Sequence, residues 1–341
     1  MDLSHRTATL HLAEPFTISR ETTRDVDVVW VELRSSGHVG YGEAAPDERY
    51  DQTAASASAF LDEAGDLLGD DPFALEEISI RLADRPGEMA AKAALDAALH
   101  DLCGKLANLA VWRLLGLRRG GPPTSYTVWL GDPDDMARRA QGVDSSFRRL
   151  KLKLGGRDGL DVERVRAVRS VTDLPLMVDV NEYWELEEAI ENVQALEDLG
   201  VEYVEQPLPA GDPGGARLRR EAALPIYLDE DCHTLGDLKA CAERAHGINI
   251  KLAKSGGIRE AVKMAAAARS LGLGVMLGCM LESGLGIAAG AQVASLCDHV
   301  DLDGNLLLAD DPWPGVAFDG GVQLPSVEPG LGVREAVPDP R

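Results

Sequence analysis

The sequence predicts an α/β protein in which a modified (β/α)8-type barrel is closed by an N-terminal α+β capping domain. Two observations predict this fold. After residue 119, short apolar runs rich in β-branched residues recur about two dozen residues apart, and each is followed by a polar segment of helix length. Before that point, apolar and polar residues alternate over 1–50, and helical spacing follows over 52–118.

Residues 1–118 are assigned to the capping domain. The segments TATLHLA and DVDVVWVELRSSGHVGYGE alternate with the period of antiparallel strands, whereas MAAKAALDAALHDLCGKLANLA has the spacing of a helix. The glycine- and proline-rich segment GLRRGGPPTS marks the end of this domain, because such residues favour turns and interrupt helices and strands.

Residues 119–306 are assigned to the barrel, because eight strand–helix units close more readily into a barrel than into an open sheet. Residues 307–341 lack the repeat, and we expect them to return to the capping domain. The eight predicted strand runs are SYTVWL (125–130), RLKLKL (149–154), LPLMVDVN (174–181), VEYVEQP (201–207), LPIYLDED (224–231), GINIKLA (247–253), GVMLGCM (274–280) and HVDLDGN (299–305).

Composition excludes several classes of partner. The 341 residues include 57 acidic and 34 basic side chains, which gives a net charge of −23. A surface this negative repels nucleic acid and anionic lipid, so we expect neither as a partner. Five cysteines without a CxxC pair, a charged N-terminal segment and the lack of a long apolar run lead us to expect a cytoplasmic protein.

Acidic residues end three consecutive predicted strands. Asp179, Glu205 and Asp229 lie at the carboxyl ends of the third, fourth and fifth runs. Neighbouring strands are about 4.8 Å apart, so the three carboxylates would converge and repel one another. A hard divalent cation removes that repulsion, and a ligand set of oxygen atoms alone favours Mg²⁺, with Mn²⁺ as the alternative.

Lysines lie on both sides of these acids. Lys151 and Lys153 end the second strand on one face, and Lys251 ends the sixth. Two lysine bases that face each other beside a Lewis-acidic metal suit one chemistry in particular. One base removes the proton α to a carboxylate, the metal stabilises the enediolate, and the other base returns a proton on the opposite face.

The strand-end motifs KLKL, MVDVN, VEQP, LDEDCHT, INIKLAKSGG and GCMLESGLGIAAG occur in an order that resembles the enolase superfamily. Within it the chain is similar to the muconate-lactonising subgroup and its dipeptide epimerases, over nearly its whole length. The resemblance implies that Asp179, Glu205 and Asp229 hold Mg²⁺ and that Lys153 and Lys251 are the two acid/base groups. It also implies that Lys151 steadies the substrate carboxylate, and it gives Lys254 no catalytic role.

The same resemblance implies a substrate. An Asp-x-Asp at the end of the eighth strand distinguishes the dipeptide epimerases, and here Asp301 and Asp303 would hold the free α-ammonium. Arg20, in the first capping loop, would bind an acidic side chain on the second residue. The implied reaction is Mg²⁺-dependent epimerisation at the α-carbon of the C-terminal residue of an L-Ala-D/L-Glu type dipeptide, as released during peptidoglycan turnover. Asp231 departs from the serine common in this motif.

Other readings remain open at this stage. N-acylamino acid racemases, o-succinylbenzoate synthases and muconate cycloisomerases share the same five residues, which are two lysines and three carboxylates. A metal-binding barrel without catalysis is a further alternative. A dehydratase would need a histidine at a late strand end, but His246 precedes the sixth predicted strand and His299 opens the eighth, which disfavours that reading. The segment Gly284–Ala289 imitates a dinucleotide-binding fingerprint, but glycines that allow close helix packing account for it better. A homo-oligomer is compatible with the sequence.

Overall fold

The computed structural model describes residues 1–336, and the N-terminal part of the chain forms a three-stranded antiparallel sheet covered by helices. Strand β1 (Asp2–Thr17) pairs with β2 (Thr22–Ser35), which pairs with β3 (His38–Ala44). A 3-10 helix (Glu48–Tyr50) follows β3. The helices of this part are α1 (Ala54–Leu68), α2 (Leu75–Ala83), α3 (Met89–Ala107) and α4 (Val111–Leu114).

Helix α3 is the central packing element between this sheet and the rest of the chain. Its residues 90–104 are all buried, which is the pattern of a helix covered on every side. Two glycines of β3 allow the close approach. A Cβ atom at Gly40 or Gly42 would overlap main-chain carbonyl groups of α3, so the sheet and the helix can meet only where side chains are missing.

Eight parallel strands form the second part of the fold and follow one another around a barrel in chain order. A parallel bridge between Thr124 and Val300 joins the first strand of the barrel to the last. Each predicted run contains one strand, and the predicted fold class is confirmed. The strands are β4 (Tyr126–Val128), β5 (Leu150–Lys153), β6 (Leu176–Asp179), β7 (Val201–Glu205), β8 (Ile226–Leu228), β9 (Gly247–Lys251), β10 (Gly274–Gly278) and β11 (His299–Asp301).

Helices follow the first seven barrel strands, but only a 3-10 helix (Gly304–Leu307) follows β11, so the barrel departs from regular alternation at its end. Two short helices of 3-10 type, Leu235–Asp237 and Ala294–Leu296, complete the loops. The α-helices are α5 (Pro133–Gly142), α6 (Asp161–Arg169), α7 (Leu186–Asp198), α8 (Gly215–Glu221), α9 (Leu238–Arg244), α10 (Leu252–Ser255), α11 (Ile258–Ser270) and α12 (Gly284–Ala291). No helix in residues 1–336 is long and apolar enough to cross a membrane.

The segment after β11 contains a hairpin of β12 (Ala317–Asp319) and β13 (Val322–Leu324) and then runs back along the N-terminal part. Leu331 N–H donates to Asp101 Oδ1 at 2.7 Å, and Val111 N–H donates to the Gly330 carbonyl at 3.0 Å. The domain boundaries at 118 and 306 stay a prediction, and the last five residues of the predicted C-terminal segment lie outside the described residues.

The glycines of α12 serve packing. Every residue of α12 is buried, and a Cβ atom at Gly284 would overlap the Trp313 carbonyl. A Cβ at Gly286 would lie 2.9 Å from Glu43 Oε1, a side chain of the capping sheet. Gly284 therefore needs to be glycine so that the helix can lie against the Trp313 main chain, and packing accounts for the resemblance to a dinucleotide-binding fingerprint.

Candidate active site

Strand register brings the predicted acidic and basic residues together at one end of the barrel. Lys153 of β5 pairs with Asp179 of β6, which pairs with Glu205 of β7. On the other side, Lys251 of β9 and Asp301 of β11 both pair with Gly278 of β10. Because all strands are parallel, these side chains lie at the carboxyl ends of their strands, which is where barrels carry their functional groups.

Lys151 lies at the centre of this group and is almost fully buried. Its Nζ is 2.8 Å from Asp301 Oδ2, 2.7 Å from Glu205 Oε2 and 3.1 Å from Asp179 Oδ2. Burial alone would lower the pKa of Lys151, but the three surrounding carboxylates raise it well above its ordinary value. Lys151 is therefore a fixed cation that links three strand ends.

Lys153 and Lys251 each face one carboxylate. Lys153 Nζ is 2.7 Å from Asp179 Oδ2, and Lys251 Nζ is 2.8 Å from Asp229 Oδ2. Their strands, β5 and β9, are separated by three others in a barrel of eight, so the two ammonium groups lie on opposite sides of the barrel mouth. Burial lowers the pKa of Lys251, but Asp229 outweighs this effect and raises it well above its usual range.

Lys254 holds Asp229 from beneath. It is 1% exposed, it forms an ion pair with Asp229 Oδ1, and its Nζ donates to the Cys232 carbonyl at 2.9 Å. Lys254 is not among the residues that line the cavity. Burial would raise the pKa of Asp229, but Lys251 and Lys254 hold it below its ordinary value. The lysine that the sequence left without a catalytic role thus fixes the orientation of a predicted metal ligand.

The donor set fits a hard divalent cation. Asp179, Glu205 and Asp229 are at most 1% exposed and offer oxygen atoms only. The ion pair of Glu205 Oε2 with Lys151 lacks hydrogen-bond geometry, so this buried oxygen accepts no hydrogen bond. Within residues 1–336 no three acidic, histidine or cysteine side chains stand in a complete metal-binding arrangement, and the predicted ligands are each paired with a lysine. The predicted ligands are thus close together but not in coordination geometry.

Asp301 and Asp303 line the same cavity at the seam between β11 and β4. Asp301 binds Lys151 through Oδ2 and accepts a hydrogen bond from Ser125 through Oδ1. From the described part of the chain, Asp303 Oδ2 accepts a single hydrogen bond, from the main-chain Thr127 N–H at 2.7 Å. Burial, with Asp301 beside it, raises the pKa of Asp303 to about 7. A cation bound beside Asp303 would therefore favour its charged form.

Arg20 lies in the loop between β1 and β2 and lines the cavity, but its guanidinium is engaged by the barrel. Nη1 is 3.0 Å from Glu230 Oε1 and 3.3 Å from Glu182 Oε2. The sequence analysis did not single out Glu182, nor Arg49, which also contacts it. Asp231, the departure from the family motif, binds Gln206 Nε2 at 2.8 Å and the Gly211 N–H at 2.9 Å, away from the cavity.

The cavity enclosed by these groups has a volume of about 540 Å³. Its floor carries Lys151, Lys153 and Lys251, and its roof is formed by the capping sheet and two loops. Tyr50, in the 3-10 helix that follows β3, also lines the cavity. Its ring packs edge-on against His233, with 4.7 Å between the ring centroids. The sequence analysis missed Tyr50 and Thr127, because neither belongs to a strand-end charge pattern.

Comparison with known proteins identifies two matching families of domains. The family described as "Mandelate racemase / muconate lactonizing enzyme, N-terminal domain" matches residues 2–116, and "Enolase C-terminal domain-like" matches residues 135–336. A protein of Bacteroides thetaiotaomicron named L-Ala-D/L-Glu epimerase is 39% identical over 330 residues, which cover 95% of this chain and 85% of that protein.

Two solved structures show the same fold. A dipeptide epimerase from Enterococcus faecalis, in complex with Mg and the dipeptide L-Leu-L-Tyr, superposes with a TM-score of 0.93 at 32% identity, covering 97% of this chain and 98% of that one. The N-succinyl Arg/Lys racemase from Bacillus cereus also superposes with a TM-score of 0.93, at 30% identity, covering 98% and 95%. The chain is thus similar over nearly its full length to proteins with different substrates.

Proposed function

The chain belongs to the mandelate racemase and muconate lactonizing enzyme family and is an isomerase, and from that premise we propose that it epimerises dipeptides at the α-carbon of the C-terminal residue. The proposed reaction is a 1,1-proton transfer between two bases. Lys153 and Lys251 are the proposed bases, and the cavity between them holds the substrate.

One observation carries the proposal: Lys153 and Lys251 line one cavity from opposite sides of the barrel. A proton removed from one face of an α-carbon must return on the other face for the configuration to invert. Two bases on opposite sides meet this requirement, whereas a single base returns the proton to the face it left. The cavity of about 540 Å³ has a size typical of small-molecule sites.

Asp179, Glu205 and Asp229 are the residues that would hold a Mg²⁺ ion. Mg²⁺ bound there would supply Lewis-acid stabilisation of the negative charge that develops on the substrate carboxylate. Lys151, held by its carboxylate neighbours, would position the same carboxylate from beneath. Lys153 and Lys251 then move the proton, each from its own side.

Asp301 and Asp303 support a substrate with a free α-ammonium group. Lys151 and Ser125 already satisfy Asp301, but within residues 1–336 Asp303 has one donor, the main-chain N–H of Thr127. A substrate ammonium beside Asp303 would stabilise the buried carboxylate, since opposite charges in a poorly hydrated site attract strongly. An N-acylated substrate has no charge to offer there.

The side chain of the C-terminal residue is the finer part of the proposal. The L-Ala-D/L-Glu type rests on the name of the Bacteroides relative and on Arg20 as the group that binds a carboxylate. For that role the guanidinium of Arg20 would have to exchange Glu182 or Glu230 for the substrate. This exchange makes the L-Ala-D/L-Glu type directly testable.

The charges of the capping domain favour a second candidate, a dipeptide whose C-terminal residue is cationic. Both arginines that line the cavity, Arg20 and Arg49, are paired with Glu182. With these cations neutralised, the remaining charges on the roof are negative and would attract lysine or arginine and repel glutamate. The acidic residues on the roof are Glu21, Asp25, Asp27, Asp47 and Glu48.

Deuterium incorporation tests both the reaction and the substrate. The protein with Mg²⁺ in D₂O is incubated with L-Ala-L-Glu, L-Ala-L-Lys, L-Ala-L-Leu and their N-acetylated forms, and α-exchange is read by mass spectrometry. Exchange in the free dipeptides, lost on addition of EDTA, supports the epimerase. Preference for the glutamyl peptide supports the first substrate and preference for the lysyl peptide the second. Exchange only in the N-acetylated set would favour an N-acylamino acid racemase.

Single-lysine variants test the two-base step. With Lys153→Ala, exchange should survive for only one epimer of the substrate, and with Lys251→Ala only for the other. Loss of exchange for both epimers in one variant and for neither in the other would contradict the assignment of two bases.

A cytoplasmic location, a homo-oligomer and Mn²⁺ in place of Mg²⁺ remain expectations from the sequence.

A further inference from the structure

Two loops of the capping domain contact the same side chain of the barrel. The first loop joins β1 to β2 and carries Arg20, and the second follows β3 and carries Arg49. Both guanidinium groups contact the carboxylate of Glu182, in the loop after β6. We infer that Glu182 is a positioning residue, the common anchor that holds both capping loops closed over the cavity.

The contact with the second loop is a two-point fork. Arg49 Nε donates to Glu182 Oε2 at 2.8 Å, and Arg49 Nη2 donates to Oε1 at 2.7 Å. Paired N–H donors that match both oxygens of a carboxylate fix distance and orientation together. The segment that this fork holds contains Tyr50, so the anchor also determines where the tyrosine ring lies in the cavity.

The first loop makes four contacts with the same region. Arg20 Nη1 lies 3.3 Å from Glu182 Oε2 and 3.0 Å from Glu230 Oε1, and it donates to the Asn181 carbonyl at 3.3 Å. Ser19 Oγ donates to the same carbonyl at 3.3 Å. Two arginines thus face two acidic side chains, Glu182 and Glu230, at this junction.

The barrel presents Glu182 in a fixed position. Asn181 and Glu182 have φ angles of 47° and 75°, in the left-handed region that side chains other than glycine rarely adopt. The Glu182 N–H donates to the Gln206 carbonyl at 2.9 Å, which holds the main chain, and the Ala210 N–H donates to Glu182 Oε1 at 2.9 Å, which holds the side chain. The Glu182 side chain is 10% exposed, so water screens its ion pairs only partly.

This inference rests on the proposed function only for the role of closure in substrate binding. A closed roof excludes water from the cavity and retains the substrate, and an anchor in the roof acts on the equilibrium between open and closed loops. Loss of the anchor should therefore weaken substrate binding while leaving the proton transfer of the closed form intact.

Limited proteolysis tests the anchor without reference to catalysis. Trypsin cleaves after Arg20 in the first loop and after Arg49 in the second, and cleavage at each site is followed by mass spectrometry for the wild type, Glu182→Gln and Glu187→Gln. The control Glu187 forms a similar fork with Arg217, on the outer helices of the barrel. In Glu182→Gln cleavage in both loops should be about tenfold faster, as expected for the loss of two partly buried ion pairs, and in Glu187→Gln it should not change.

Steady-state kinetics supply the second readout. For an accepted dipeptide, Glu182→Gln should raise KM about tenfold and change kcat less than twofold, because the lost contacts act on closure. A lower kcat at unchanged KM would overturn the inference, as would unchanged cleavage in either loop. If the loops open in Glu182→Gln but the wild type turns over no dipeptide, the anchor stands and the proposed function fails.

A mutant cycle covers the case in which Glu182→Gln does not fold. Arg49→Gln alone should open the second loop, so an endoprotease of broad specificity should cleave peptide bonds within residues 45–52 faster than in the wild type, whereas tryptic cleavage after Arg20 should not change. Where both variants fold, adding Arg49→Gln to Glu182→Gln should not speed cleavage of the second loop further, because the two residues form one contact. Additive effects would show that they act separately and would overturn the common anchor.

Discussion

The main-chain N–H of Thr127 donates a hydrogen bond of 2.7 Å to Oδ2 of Asp303, across the seam where the barrel closes. The bond ties the first strand of the barrel to the loop after its last strand. It orients the Asp303 carboxylate, which has no cationic partner among residues 1–336, since Lys151 pairs with Asp301. The first prediction follows from this arrangement.

Asp303→Asn should lower kcat/KM for dipeptides with a free amino group by about tenfold to a hundredfold, because one charge of a poorly hydrated pair is lost. The amide oxygen can still accept the Thr127 bond, so the fold should be retained. The control is Asp298→Asn, since Asp298 also accepts a main-chain bond, from Val275 N–H at 2.9 Å, but does not line the cavity. Equal losses in the two variants would disprove the role of Asp303.

Chelation should abolish turnover, and Mg²⁺ should restore it, if Asp179, Glu205 and Asp229 hold the ion.

Lys254 contacts both the main chain and the side chain of Asp229. Lys254→Met should weaken Mg²⁺ binding, measured by titration calorimetry, by about tenfold to a hundredfold, because the orientation of a ligand is lost. Lys263→Met, at a partly exposed lysine on α11, is the control and should bind Mg²⁺ normally.

Stability should fall as the pH rises from 5 to 8, because of two buried carboxyl groups at the junction of the capping sheet and α12. Burial raises the pKa of Glu282 to about 8 and that of Glu43 to about 7, from ordinary values of 4.5. The folded protein therefore keeps protons that the unfolded chain has released, and each such proton lowers the free energy of unfolding by up to about 1.4 kcal/mol per pH unit.

Urea unfolding of Glu282→Gln at several pH values tests this prediction. The amide resembles the protonated acid, so the variant should lose part of the pH dependence and be more stable than the wild type at pH 8. Glu63→Gln, at an exposed glutamate, should follow the wild type. A wild type whose stability is constant or increases over this range would contradict the assignment.

Gly42→Ala should destabilise the protein by about 1–3 kcal/mol, because the new methyl group meets the main chain of α3. Gly65→Ala is the matched control. Gly65 lies within α1 with no atom within 4 Å of an added Cβ, so the same change there should stabilise by about 0.5–1 kcal/mol. The two free energies of unfolding are measured by urea titration, and equal effects would exclude the close approach as the cause.

The barrel and its strand ends could be predicted from the sequence because parallel strands impose a simple geometry. A run such as LKLK has a period of two, and neighbouring strands align their ends, so the convergence of Lys153, Asp179 and Glu205 follows from spacing alone. What the sequence could not show is how charges pair within the group. The distribution of three carboxylates around Lys151 depends on side-chain conformations that no spacing rule determines.

The roof of the cavity was less predictable, for a physical reason. Arg49 and Glu182 are 133 positions apart and lie in loops, so neither hydrophobic periodicity nor strand register relates them. Arg20 was singled out, but its partners depend on the left-handed φ angles of Asn181 and Glu182. Asparagine at the first of these positions is compatible with a left-handed φ angle, since it tolerates that conformation better than most residues.

The contacts of residues 330 and 331 with Asp101 and Val111 have a consequence for biosynthesis. During translation the N-terminal sheet and α3 leave the ribosome long before the segment that completes their packing. The barrel strands must form in between, so an early intermediate has an unfinished surface along α3 that is exposed to other chains. Cell extracts that slow synthesis of the last third of the chain should therefore prolong the lifetime of that intermediate and its exposure to chaperones.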